Sequence, residues 1–192
     1  MNDLRAWKKN AQLLITSTPE GYKTHKAYIA MLEYIHKKDW SGACHSTSAI
    51  MVSILRSQGV SAEPFLGECR AQSFYFDHSW VEVDANVFDI AISKTLIKGI
   101  QFPPVYRGLD LGTMSPSHVN YGVQSGNGYD RNAARIKAVP LVDYMDAFPG
   151  HPYGLFGLAE ELTKSMGKRI SKVKLRKSCL NLVWRDKYGD CH

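Results

Sequence analysis

The sequence predicts an α+β fold, and three observations lead there. Apolar residues early in the chain recur at helical spacing, as in Tyr28, Met31, Leu32 and Ile35. Between residues 60 and 90 the pattern changes to runs rich in aromatic and β-branched residues with polar alternation. Helices come first and strands afterwards, which is the order of an α+β protein rather than of alternating βαβ units. A chain of 192 residues is long enough to bury a true core, so 1–192 reads as one domain with a basic C-terminal segment from about residue 164.

In chain order, residues 3–15 and 24–38 read as amphipathic helices covering one side of the core, with 16–21 as the turn between them. Residues 39–42 form a loop whose Ser41 is suited to cap the next helix, expected over 42–57 and stopped by Gly59. Cys44, Ser48, Met51 and Leu55 share one stripe of that helix, with Thr47, Ile50 and Ile54 beside it, so it faces the interior with Cys44 at its edge. Strands are expected over 60–70, 74–83 and 86–90, the last two joined by Asp84-Ala85. Residues 94–135 are rich in proline and glycine and read as loops walling a cleft, with a strand near Val105-Tyr106. Leu155, Leu158, Leu162 and Met166 indicate a helix over 155–173, weakened at Gly167. Around its end cluster Lys164, Lys168, Arg169, Lys172, Lys174, Arg176 and Lys177.

An apolar fraction of 44% and an aromatic fraction of 11% exclude wholesale disorder. No apolar run approaches the roughly 20 residues needed to span a bilayer. The first ten residues lack the apolar stretch of a secretory signal, so a cytoplasmic protein without a membrane anchor is expected. Cys44, Cys69, Cys179 and Cys191 are then expected as free thiols, and no C-x-x-C pair or metal-ligand spacing suggests zinc or another cofactor. The formal charge of +6 points to an acidic partner or surface without naming it.

Cys44 carries the chemical interest. Only the thiolate is a good nucleophile, and the first turn of a helix favours negative charge through its unpaired N–H groups and dipole. Alone, Cys44 reads more readily as a buried cysteine packing like a small apolar residue. His78 changes that balance, because strand alternation puts His78, Trp80 and Glu82 on one face. A two-residue turn pairs Val83 with Asn86, sets Asp89 opposite Trp80, and makes Asp89 a diagonal neighbour of His78 on that face. Glu82 shares the face but lies about 13 Å from His78 at the usual rise per residue, and Asp77 points to the other side. His45 projects about 100° away from Cys44 on the helix and reads as a poor base. His25, His36, His118, His151 and His192 read as solvent-exposed or loop residues.

Gly42-Ala43-Cys44 opening a helix, the helix ending Leu55-Arg56-Ser57-Gln58-Gly59-Val60, His78-Ser79-Trp80-Val81-Glu82-Val83 and then Val87-Phe88-Asp89 together resemble the transglutaminase-like superfamily of papain-fold cysteine enzymes. The likeness covers about residues 40–90. It implies a papain-like core, with a central helix carrying the nucleophile packed on an antiparallel sheet, and a catalytic triad of Cys44, His78 and Asp89. Two features depart from it: His45 follows the cysteine where eukaryotic transglutaminases have tryptophan, and no calcium-binding loop is recognisable.

The activity implied is that of a cysteine hydrolase or acyltransferase, a protease, deamidase or transamidase. It would act on amide bonds of a protein or peptide substrate through a Cys44 thioester, without a cofactor. The backbone N–H of Cys44 and, more weakly, the indole N–H of Trp40 are candidate oxyanion donors. Two further readings stand beside this one. The first is a catalytically retired papain-fold module that binds nucleic acid or another polyanion through the basic C-terminal segment. The second is a coenzyme A-dependent acyltransferase, since arylamine N-acetyltransferases share the triad order.

Overall fold

Helix α1 (Leu4–Leu13) opens the computed structural model, which describes residues 3–96 and 100–187, and it turns Trp7 and Ala11 into the core. Helix α2 (Pro19–Lys37) starts earlier than residue 24, so Pro19, Glu20 and Gly21 form its first turn rather than a connection. Thr18 explains this: its hydroxyl accepts from the Gly21 N–H at 3.0 Å. Pro19 sits where a missing N–H costs nothing and a fixed φ is already helical.

Helix α3 (Cys44–Arg56) is central, with every residue from Ser46 to Leu55 buried. It packs on α2 and on the sheet. Ser41 does not cap it: the N-cap position belongs to Ala43, and no side chain caps the first turn. Gly42 instead takes φ +67 and donates its N–H to Lys94 O at 2.9 Å, which ties the start of the helix to a later loop. At the other end Gly59 adopts φ +82. Its N–H donates to Arg56 O at 3.0 Å and that of Val60 to Leu55 O at 3.1 Å, a paired closure of the last turn. Nothing lies within 4 Å of a Cβ added at Gly59, so only the backbone conformation opposes a side chain there. Gly59→Ala is therefore expected to cost about 1 kcal/mol of stability, read as a lower denaturation midpoint at unchanged slope.

Closing α3 uses Val60, so β1 (Ala62–Ala71) begins later than the expected residue 60. It pairs antiparallel with β2 (Phe74–Val83), which pairs with β3 (Asn86–Phe88). Asp84 and Ala85, at φ 49 and 58, form the two-residue turn that suits twisted strands. The register is Val83 with Asn86 and Val81 with Phe88, as the alternation requires for Asp89 to fall opposite Trp80. The third strand stops at Phe88 rather than 90, because Asp89 leaves the ladder and bridges Val105 on its other side. A 3-10 turn, Ala91–Lys94, follows.

The loop-rich stretch holds β4 (Val105–Tyr106), where a strand was expected, and β5 (Leu109–Asp110), which form a small hairpin. Within it also lies β6 (Val119–Tyr121), which pairs with β1 to give the sheet order β3-β2-β1-β6. One face of this sheet, with Ala62, Leu66, Val81 and Val83, joins the main core. Trp80, Cys69 and Val119 belong to a smaller second cluster with Val105 and Ile92.

Helices α4 (Arg131–Lys137) and α5 (Leu141–Asp146) follow, the former capped by the Asp130 carboxylate. The helix expected over 155–173 is two helices. α6 (Gly154–Ser165) ends just before Gly167 at φ +75, and α7 (Lys172–Lys177) restarts after Ser171, whose hydroxyl caps it. The architecture is thus mixed α+β, with an antiparallel sheet set against helices. Among the described residues no helix is long and apolar enough to cross a membrane. Cys191 and His192 lie outside the described residues.

Candidate active site

Cys44 begins α3, half-buried, at a helix start that no side chain caps. His78 lies on β2 beyond the short ladder with β3, which covers only Val81–Val83. Asp89 follows β3 and is 2% exposed. The register that sets Asp89 opposite Trp80 lets the two side chains meet: His78 Nε2 donates to Asp89 Oδ2 at 2.7 Å. With Nε2 engaged, Nδ1 is the ring nitrogen left to deal with Cys44.

The carboxylate is held from three directions. Tyr121 Oη donates to Oδ2 at 2.8 Å and the Ile92 N–H to Oδ1 at 3.2 Å. The Asp89 backbone also exchanges two hydrogen bonds with Val105, at 2.9 and 2.8 Å. Burial, followed by the Asp89 charge, pushes the Tyr121 phenol well above its ordinary range, so Tyr121 is a permanent donor here. Nothing local in the sequence marks Tyr121. Its place depends on β6 pairing with β1 across a long connection.

Electrostatically the site favours a thiolate–imidazolium pair. Burial works against charge on Cys44, yet hydrogen bonding from His45 and from His78 outweighs it and lowers the thiol to about 5. Burial likewise disfavours charged His78, but the Asp89 charge, the hydrogen bond to it, and Cys44 raise the imidazole to about 10. The other thiols behave oppositely: burial pushes Cys69 well up and Cys179 to about 11. Both are fully buried.

His45 is the principal correction to the sequence reading. It lines the same cavity as Cys44, with Nδ1 2.7 Å from Ser79 Oγ and its ring edge-on to Trp184 at 6.0 Å. Successive helical residues do diverge by about 100°, but side chains lean toward the N-terminus, so a first-turn ring reaches back over the helix start. His25 and His36, expected to be exposed, are half-buried on α2, and His36 Nε2 meets Ser93 Oγ at 3.0 Å. Trp40 packs edge-on to Tyr34 and to Phe148, each at 6.1 Å, and is not among the residues lining the cavity at Cys44.

That cavity, about 300 Å³, is bordered by Cys44, His45 and His78. Phe74 and Phe76 of β2 line it together with Ile92, Leu96 and Phe102, so the expected role of residues 94–135 in walling a cleft is partly met. Asp77 and Asp130 lie at one end, joined by a 2.7 Å hydrogen bond from the Asp130 N–H to Asp77 Oδ2. The arrangement can activate a thiol beside an apolar slot and return a proton to a leaving group. Among the described residues no group of three or more His, Cys, Asp or Glu side chains is arranged to hold a metal. Comparison of the chain with protein-family models, with curated proteins and with solved structures returns no match.

Proposed function

We propose that this protein is a cysteine enzyme of transglutaminase-like, papain-fold build that attacks a carboxamide or peptide carbonyl and passes through a Cys44 thioester. The observation that carries the reading is the Asp89–His78 pair, bonded through Nε2, beside a thiol held well below its ordinary range. His78 takes the thiol proton and the sulfur attacks the carbonyl carbon. The tetrahedral oxyanion then collapses with cleavage of the C–N bond, and the departing amine carries away the proton from His78. Water or an amine, deprotonated by His78, attacks the thioester and restores the thiol. The Cys44 N–H, in a first turn without a side-chain cap, is suited to meet the oxyanion. A reducing cytoplasm would keep such a thiol free.

The polyanion-binding alternative is weaker on the present geometry. The basic stretch is split between two helices and several of its side chains are already engaged. Lys168 donates to Gln58, Arg176 pairs with Asp146 at 2.9 Å, and Lys172 sits over the Tyr153 ring. No observation favours acyl transfer from coenzyme A.

The test exposes a proteome to the protein or to its Cys44→Ala form and compares new peptide termini, deamidated side chains and new isopeptide links. The expected result is that one of these signals appears with the native protein only. If none depends on Cys44, the proposal is wrong.

A further inference from the structure

The proposed chemistry uses one imidazole, yet two border the cavity at Cys44. His45 lines the same cavity as Cys44 and His78, and its ring is fixed from both sides, by Ser79 Oγ at Nδ1 and by the edge of Trp184. Ser79 belongs to β2 and is 0% exposed. Within the described residues its hydroxyl has a single hydrogen-bond partner, His45 Nδ1 at 2.7 Å. A buried hydroxyl has one hydrogen to place, and leaving it without an acceptor costs on the order of 1–3 kcal/mol. If His45 carried its hydrogen on Nδ1, the Ser79 hydrogen would be stranded. When Ser79 donates to Nδ1, both groups are satisfied and the ring hydrogen goes to Nε2.

Resting on the function proposed above, we infer that His45 is a second catalytic imidazole with a task distinct from that of His78. Oriented by Ser79, it acts as a fixed Nε2–H donor to the Cys44 sulfur, while His78 alone moves protons. The separation follows from what each ring is tied to. His78 is bound to a carboxylate and can be stabilised as a cation. His45 is bound to a hydroxyl, which offers no charge to hold a second proton. Two cations beside one sulfur would also repel each other, whereas one cation and one neutral donor do not. Asp77 on β2 interacts electrostatically with His45, and Tyr144 on α5 and Cys69 on β1 with Cys44; burial raises all three. None of the three supplies a hydrogen bond to the sulfur among the causes that act on Cys44. Without His45, the thiolate would depend on His78 alone.

The test reads the thiol directly and requires no substrate. In the native protein labelled with 15N-histidine, the His45 shifts near neutral pH should report a protonated Nε2 and an unprotonated Nδ1; the opposite tautomer, or a doubly protonated ring, overturns the inference. Alkylation of Cys44 by iodoacetamide is then followed against pH in native protein, His45→Phe, His45→Gln and Ser79→Ala, each checked for folding by near-UV circular dichroism. Losing the donor in His45→Phe should raise the midpoint by at least about one pH unit, a tenfold loss of thiolate at pH values below it. Glutamine, whose amide can put an N–H where Nε2 was, should restore most of the shift, and Ser79→Ala should give a smaller rise of the same sign. An unchanged midpoint in folded His45→Phe, or in both other variants should that one not fold, overturns the inference. A native Cys44 with the midpoint of an ordinary thiol would instead remove the proposed function itself, so the two failures are distinguishable.

Discussion

Replacing Asp89 by asparagine is expected to leave the protein folded and to lower turnover by about three to four orders of magnitude. Asparagine matches the carboxylate in size: its oxygen can keep the Ile92 N–H at the Oδ1 position, and at the Oδ2 position Tyr121 Oη can turn from donor to acceptor of the amide NH2. What is lost is the acceptor for His78 Nε2. An amide NH2 facing that nitrogen forces the ring hydrogen onto Nδ1, toward Cys44, where it blocks uptake of the thiol proton. Loss of the negative charge also removes the leading favourable contribution to protonated His78. The alkylation midpoint of Cys44 should therefore rise together with the fall in turnover. Two controls separate this from a general charge effect. Asp84 sits exposed in the hairpin turn, and the Glu82 carboxylate is bound to Trp80 Nε1 and Lys187 Nζ at 2.9 and 2.7 Å. Asp84→Asn and Glu82→Gln should leave both readings near native. Native turnover in folded Asp89→Asn would sink the triad.

The second large effect is the selectivity and pH dependence of thiol labelling. With the Cys44 thiol at about 5, its alkylation should climb through pH 5 and reach a plateau by about pH 6. An ordinary thiol near 8.5 is less than about 1% ionised at pH 6, so Cys44 holds a roughly 300-fold advantage in thiolate there. Much of this is offset, because a less basic thiolate is intrinsically less reactive, by about 25- to 55-fold over such an interval. The net gain is then about five- to twelvefold, and the diagnostic reading is the position of the midpoint rather than the plateau rate. Cys69 and Cys179, buried and shifted upward, should stay unlabelled in the folded protein at any pH where Cys44 reacts. Equal labelling of Cys44 and these two would contradict activation.

The parts of this site that could be read in the sequence are those fixed by short-range geometry. The start of α3 at Cys44 is local, and so is the parity of a two-residue turn, which alone decides whether Asp89 shares a face with His78. Thr18-Pro19 was also a legible helix start, a capping hydroxyl followed by proline at the first helical position, although apolar spacing drew attention to residue 24 instead. Tyr121 and Trp184 carry no such mark. Each reaches the site through pairings made across long stretches of chain, β6 with β1 and Arg185 with Phe65. His45 was visible but misjudged, since helical spacing describes where a side chain leaves the axis and not where a long ring ends. Trp40 shows the converse: proximity in sequence to Cys44 did not bring its ring to the cavity.

The two backbone hydrogen bonds between Asp89 and Val105 bear on the order in which this protein becomes reactive. The hairpins of β1, β2 and β3 are near-neighbour structures that close quickly, whereas contacts between distant parts of a chain form slowly because a larger loop must be closed first. Val105, Tyr121 and Trp184, which steady Asp89 and His45, all belong to the slower class. Until His45 and His78 are brought to it, the Cys44 thiol lacks the hydrogen bonds that lower it. On the proposed function, a nascent or refolding molecule is expected to pass through its stickiest and most exposed stages with a quiet thiol, its nucleophile armed only once His78 and His45 are steadied.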